Sequence, residues 1–89
     1  MSIAERIRRK ITENLAPVAL EVTDESHKHE GHAGHQPGGE THFHVSIVSA
    51  SFAGQNRVAR QRMVYALLAD EMAERVHALS LVTRTPDEA

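Results

Sequence analysis

Cysteine is absent from this 89-residue chain, so the chain can form no disulfide and offers no thiolate of its own for catalysis or metal binding. Tryptophan is absent too, and the only aromatic side chains are Phe43, Phe52 and Tyr65. A core must therefore be assembled from Ile, Val, Leu, Ala and Met. No apolar run approaches the roughly 18 residues of a membrane-spanning helix. The start, Met1-Ser2-Ile3-Ala4-Glu5-Arg6, lacks the apolar centre of a secretory signal. The basic run Arg6-Ile7-Arg8-Arg9-Lys10 has the charge of a transit peptide, but Glu5 and Glu13 break that pattern and the segment is needed as a helix. The chain is accordingly expected to be complete and cytoplasmic. Net charge is only −2, which gives no overall pull toward nucleic acid.

Catalytic arrangements are missing as well. There is no serine–histidine–acid order and no phosphate loop with a following lysine. Asp70 and Glu71 read as an exposed helical face, and Ser49 and Ser51 have no base at readable spacing. Zinc hydrolysis would want a glutamate in a helical His-Glu-x-x-His setting, which does not occur. The chain reads as a non-enzyme.

What is present is one small domain, residues 1–89, burying roughly 60% of its unfolded surface. Ile3, Ile7, Ile11 and Leu15 recur every four residues, which predicts an amphipathic helix over about 2–15, ended by Pro17. The opposite face carries Arg6, Arg9, Lys10 and Glu13. Residues 19–23 are short, alternating and β-branched, as a strand should be. From Asp24 to Glu40 apolar content nearly vanishes and glycines punctuate a long loop. Alternation resumes over 41–49, with Phe43, Val45 and Ile47 on one face and His42, His44 and Ser46 on the other. The two strands form an antiparallel hairpin with an oversized connection. A turn at 52–56 offers Asn56 as helix N-cap, and helix formers run from Arg57 to about Arg75 with Val64, Leu67, Leu68 and Met72 as the buried stripe. Residues 76–83 form a third strand, and Pro86 closes the ordered region. The fold class is α+β: helix–strand–strand–turn–helix–strand, a three-stranded mixed sheet with helices on one face, and the third strand parallel to the second if they are neighbours.

Seven histidines are the one large compositional excess, and six lie between His27 and His44. The tract His27-x-His29-x-x-His32-x-x-His35 has the density of a metal-binding loop. Imidazole serves zinc, copper, nickel and iron alike, so the tract also stands as a site for another transition metal. His42 and His44 leave the same strand face roughly 7 Å apart; a solvated sheet face accounts for His44. His77 stands alone, at the start of the expected third strand.

The segments Glu25-Ser26-His27-Lys28-His29, Glu40-Thr41-His42-Phe43, Phe52-Ala53-Gly54, Arg57 through Tyr65, and Val76-His77-Ala78-Leu79-Ser80 together resemble the BolA-like proteins, in this order and over nearly the whole chain. The resemblance implies a fold related to the class II KH module. It also implies partnership with a monothiol glutaredoxin in holding a [2Fe–2S] cluster, shared with a glutathione thiol, in iron–sulfur and iron homeostasis. The chain is then a monomer alone and a heterodimer with its partner. By position, His77 is one cluster ligand and His29 the other. His32 and His35 are further candidates for the loop ligand, with His27 and His42 as neighbours of the site. Two imidazoles can replace two thiolates on one iron, which suits a chain without cysteine. The alternative reading is a transcriptional regulator in which Arg57, Arg60 and Arg62, at the start of the long helix, meet DNA phosphates. Against that reading, the turn lacks the Gly-x-x-Gly clamp of KH modules.

Overall fold

The computed structural model describes residues 2–25 and 41–89. Helix α1 (Ile3–Leu15) opens on a capping box: the Ser2 hydroxyl accepts the Glu5 N–H at 3.1 Å while the Glu5 carboxylate reaches back to Ser2. Its apolar stripe buries Ile7, Ile11 and Leu15. Ala16, at a left-handed φ of 43°, and then Pro17 end it. The last carbonyl, that of Leu15, accepts the hydroxyls of both Ser49 at 2.5 Å and Ser51 at 3.2 Å, so these serines satisfy a helix end.

Strand β1 (Ala19–Asp24) pairs antiparallel with β2 (His42–Val48), with Val22 opposite Val45. The first strand is therefore one residue longer than expected, and Glu25 still donates its N–H to the His42 carbonyl. The remainder of the expected loop lies outside the described residues. A 3-10 turn (Ala50–Phe52) and a left-handed Gly54, φ 78°, lead into α2 (Arg57–Leu67), whose N-cap is Asn56, accepting the Ala59 N–H at 2.8 Å.

The single long helix expected over 57–75 is divided. At Leu68 the backbone (φ −102°, ψ 17°) leaves the helical well, and α3 (Ala69–Glu74) follows at once. No proline or glycine marks the break. Leu68 is drawn into the core there, and the bonds Leu68 N–H to Val64 O and Met72 N–H to Leu68 O carry the helix across it. Strand β3 (Ala78–Arg84) then runs parallel to β2, His42 opposite Ala78 and His44 opposite Ser80, giving the sheet order β1-β2-β3. The chain does not lose order at Pro86. Thr85 is buried and a turn over 86–88 is closed by the Glu88 N–H on the Thr85 carbonyl.

The core joins Ile7, Ile11 and Leu15 of α1, Val22, Phe43, Val45 and Ile47 of the sheet, and Phe52, Val64, Leu68 and Val76. Parity along β2 thus does what alternation predicts. Phe43, Val45 and Ile47 are buried, while His42, His44, Ser46 and Val48 stay partly exposed on the other face.

Burial includes one residue that the charge pattern assigned to water. Glu71 is 0% exposed. Its Oε1 receives Lys10 Nζ at 2.8 Å and its Oε2 receives Arg6 Nε at 2.9 Å. The expected solvated faces of α1 and α3 therefore meet each other. Burial pushes the Glu71 carboxyl up, but the Lys10 hydrogen bond and the charges of Lys10 and Arg6 outweigh it and hold the group below its ordinary value.

Candidate metal centre

His77 sits in the short link between α3 and β3, and His42 opens β2. Because β2 and β3 are parallel neighbours, both residues stand at the same end of the sheet. Their rings lie nearly parallel, 16° apart in plane, with centroids 6.2 Å apart. His77 is exposed and His42 half-buried.

Thr41 ties the pair together from beneath. It is 1% exposed, and its carbonyl accepts the N–H of His77 at 2.7 Å and that of Ala78 at 3.3 Å. Its hydroxyl shares a hydrogen bond of 2.9 Å with His42 Nδ1. One buried residue therefore fixes the backbone under one imidazole and the ring of the other. Such a hydrogen bond at one ring nitrogen is the usual means of orienting a ligand imidazole. Thr41 was visible only as part of a motif; its role comes from the parallel pairing, which brings residues 41 and 77 together.

Of the residues singled out in the sequence, the fold brings His77 and His42 together and keeps His44 apart. His44 Nδ1 lies 3.1 Å from the Ser80 hydroxyl, further along the same open face. His27, His29, His32 and His35 lie outside the described residues. Arg57 and Arg62 are exposed on α2. Arg60 is engaged: its guanidinium donates to the Gln55 and Thr83 carbonyls and forks onto Glu88 at 2.6 and 3.2 Å, lying 5.9 Å over the Phe52 ring.

A hollow of about 190 Å3, lined by Met72, Ala73, Glu74, Arg75, Val76 and His77, flanks the exposed imidazole. That is below the roughly 300 Å3 at which small-molecule sites begin. Two larger furrows follow the charged outer face of α1, around Arg9 and Glu13, and neither is lined by His42, His44 or His77. Among the described residues no three histidine or carboxylate side chains converge on a metal cage. The exposed imidazole of His77, with His42 beside it, could therefore serve a metal only within a ligand set that something else completes, since a closed tetrahedral site needs four. No helix among the described residues is long and apolar enough to cross a membrane.

Comparison with known proteins agrees with this architecture. Residues 11–88 match the family model for BolA-like proteins. The chain is 48% identical over 88 residues to the chloroplastic protein BOLA1 of Arabidopsis thaliana, covering 97% of this chain and 55% of that protein; it thus spans about half the length of that relative. It is 46% identical over 88 residues to the DNA-binding transcriptional regulator BolA of Escherichia coli K12, covering 99% of this chain and 80% of that one. Among solved structures, the BolA domain of SufE1 from Arabidopsis thaliana superposes with a TM-score of 0.89 at 48% identity, over 100% of this chain and 98% of that domain.

Proposed function

The chain belongs to the BolA-like family, and we propose that it is a non-catalytic accessory protein that pairs with a monothiol glutaredoxin and lends histidine ligands to a shared [2Fe–2S] cluster. His77 is the ligand from the folded body and His29 the first candidate from the histidine tract, ahead of His32 and His35. The observation that carries this reading is the exposed His77 ring, stacked on His42 and held by a backbone bond to buried Thr41. An imidazole fixed this way but left at the surface suits a ligand set finished by another molecule. The absence of cysteine points the same way, because the thiolates such a cluster needs must then come from the partner and from glutathione. When bound, the cluster supplies a redox couple whose potential imidazole ligation raises.

The test is reconstitution with a monothiol glutaredoxin, glutathione, iron and sulfide, followed by visible absorption and circular dichroism. His77→Ala is expected to abolish the mixed-ligand spectrum, and His29→Ala to weaken or abolish it. A spectrum unchanged by His77→Ala overturns the reading. Loss with His32→Ala/His35→Ala but not with His29→Ala moves the loop ligand.

A second reading is DNA binding, which the name of the Escherichia coli relative states for that protein. Here exposed Arg57 and Arg62 favour it, while the fork of Arg60 on Glu88 works against it. An affinity for duplex DNA that falls steeply with salt and is weakened by Arg57→Ala/Arg62→Ala would support it.

A further inference from the structure

The Arg6–Glu71–Lys10 cluster is an expensive way to join two helices. Taking a carboxylate out of water costs several kcal/mol before its partners return anything, and apolar residues of similar size often do the same work at no loss. The geometry around Glu71 suggests what the charge achieves here.

Glu71 is bonded at both ends. Its carboxylate is gripped from α1 by Lys10 at 2.8 Å and Arg6 at 2.7 Å. Arg6 also reaches Glu74 at 2.5 Å, and Lys10 approaches Asp70 at 3.7 Å. Its main-chain carbonyl accepts two N–H groups, those of Arg75 at 3.1 Å and Val76 at 3.0 Å, and so fixes where α3 ends. The next residue after Val76 is His77, whose own N–H is held by Thr41. Val76, 4% exposed, belongs to the core. A continuous set of bonds therefore runs from two cations of α1, through the side chain and backbone of Glu71, to Val76, the residue immediately before the exposed imidazole.

We propose that Glu71 is a positioning residue for His77: the buried grip of Arg6 and Lys10 on its carboxylate locks the α3–β3 link and so keeps the His77 ring stacked on His42. An apolar residue at 71 would fill the space but would leave α3 free to rotate and slide against α1, because hydrophobic contact is non-directional. Two charge-assisted bonds from residues one helical turn apart fix both. The relevance of this to cluster ligation rests on the function proposed above; the positioning itself is a property of the chain alone.

The experiment uses the full chain without iron. Native-state amide hydrogen exchange and ring-to-ring nuclear Overhauser contacts between His42 and His77 are compared for the parent, Glu71→Met and the milder Glu71→Gln. The expected result is a selective loss. In Glu71→Met the Val76 and His77 amides lose roughly tenfold or more in protection relative to core amides such as Val45, and the ring contact weakens. Glu71→Gln, which keeps one acceptor for Lys10 or Arg6, falls between. Uniform loss of protection across all amides, or retention of the His42–His77 contact with unchanged local protection, overturns the proposal. If Glu71→Met does not fold, Glu71→Gln and Lys10→Met decide it by the same criterion. Reconstitution of the same variants with glutaredoxin separates the two claims. A displaced His77 with an intact cluster spectrum leaves the positioning standing and sinks the ligand reading; an undisturbed His77 sinks the positioning alone.

Discussion

Two arginine–carboxylate clusters flank the α2–α3 pair, and they differ mainly in how much water they see. Near α3, Glu71 is held by Arg6 and Lys10 with contacts of 2.7 to 2.9 Å and is 0% exposed. At the start of α2, Glu88 is held by Arg60 at 2.6 and 3.2 Å and by the Thr85 N–H at 2.8 Å, and is 44% exposed. Each carboxylate has an arginine and a second donor at similar distances, a lysine for Glu71 and a backbone N–H for Glu88. What differs is the alternative open to the carboxylate when its cation leaves: Glu88 turns to solvent, whereas Glu71 has none to turn to. Short contacts alone therefore say little about which pair governs stability.

The largest expected effect comes from stranding the buried charge. Arg6→Met/Lys10→Met removes both cations and is expected to cost about 3–5 kcal/mol at pH 7, a large part of a total stability of roughly 5–10 kcal/mol for a domain of this size. Its pH dependence should also invert. In the parent the Glu71 carboxyl is held below its ordinary value, so its contribution is present at neutral pH and is lost on acidification. With the cations gone, burial, the largest influence, is opposed only by the carboxylate's bond to its own N–H; the folded-state value rises above the unfolded one, and the variant gains stability as pH falls toward 4.5. Urea midpoints between pH 7 and pH 5 measure this. The triple variant with Glu71→Met should recover much of the loss; no recovery would mean that the helices needed the cations and not the pairing.

The exposed cluster should respond more weakly. The Arg60 hydrogen bond, helped by the Thr85 N–H, brings the Glu88 carboxyl from 4.5 down to about 2. A depressed carboxylate stabilises the fold above its unfolded value, and that contribution disappears as pH falls from about 4.5 to about 2. Glu88→Gln is expected to lower Tm by roughly 2–4 °C at pH 7, with the gap closing across that acid window. A gap that persists unchanged at pH 3 would show that the amide loses packing, not charge.

Both clusters escaped the sequence for the same reason. Residues 6 and 71 are 65 apart in the chain, and 60 and 88 are 28 apart; side-chain polarity says only that such groups like water. Periodicity held the missing signal for one of them. Val64, Leu68 and Glu71 are spaced i, i+4, i+7 along one buried stripe, and Arg6 and Lys10 stand one turn apart on α1. A glutamate at an apolar position facing two spaced cations is legible, once spacing is allowed to outrank polarity. Where the two agreed, as along α1 and in the alternation of β2, the elements appear where expected. The approach of His42 to His77 was legible only through the family resemblance and the crossover rule; that the two strands are neighbours, and in this register, no local pattern encodes.

Salt should separate the two clusters with the smallest effect of the series. Raising ionic strength from 0.1 to 1 M shortens the screening length from about 10 to about 3 Å, which weakens attraction between groups that ions can approach. The Tm difference between the parent and Glu88→Gln should therefore narrow, since Glu88 is nearly half exposed. The difference between the parent and Arg6→Met/Lys10→Met should hardly move, because no ion reaches a carboxylate with 0% exposure. Equal narrowing of both gaps would place the Glu71 corner in contact with solvent and remove the reason for treating its charge as anything more than a surface pair.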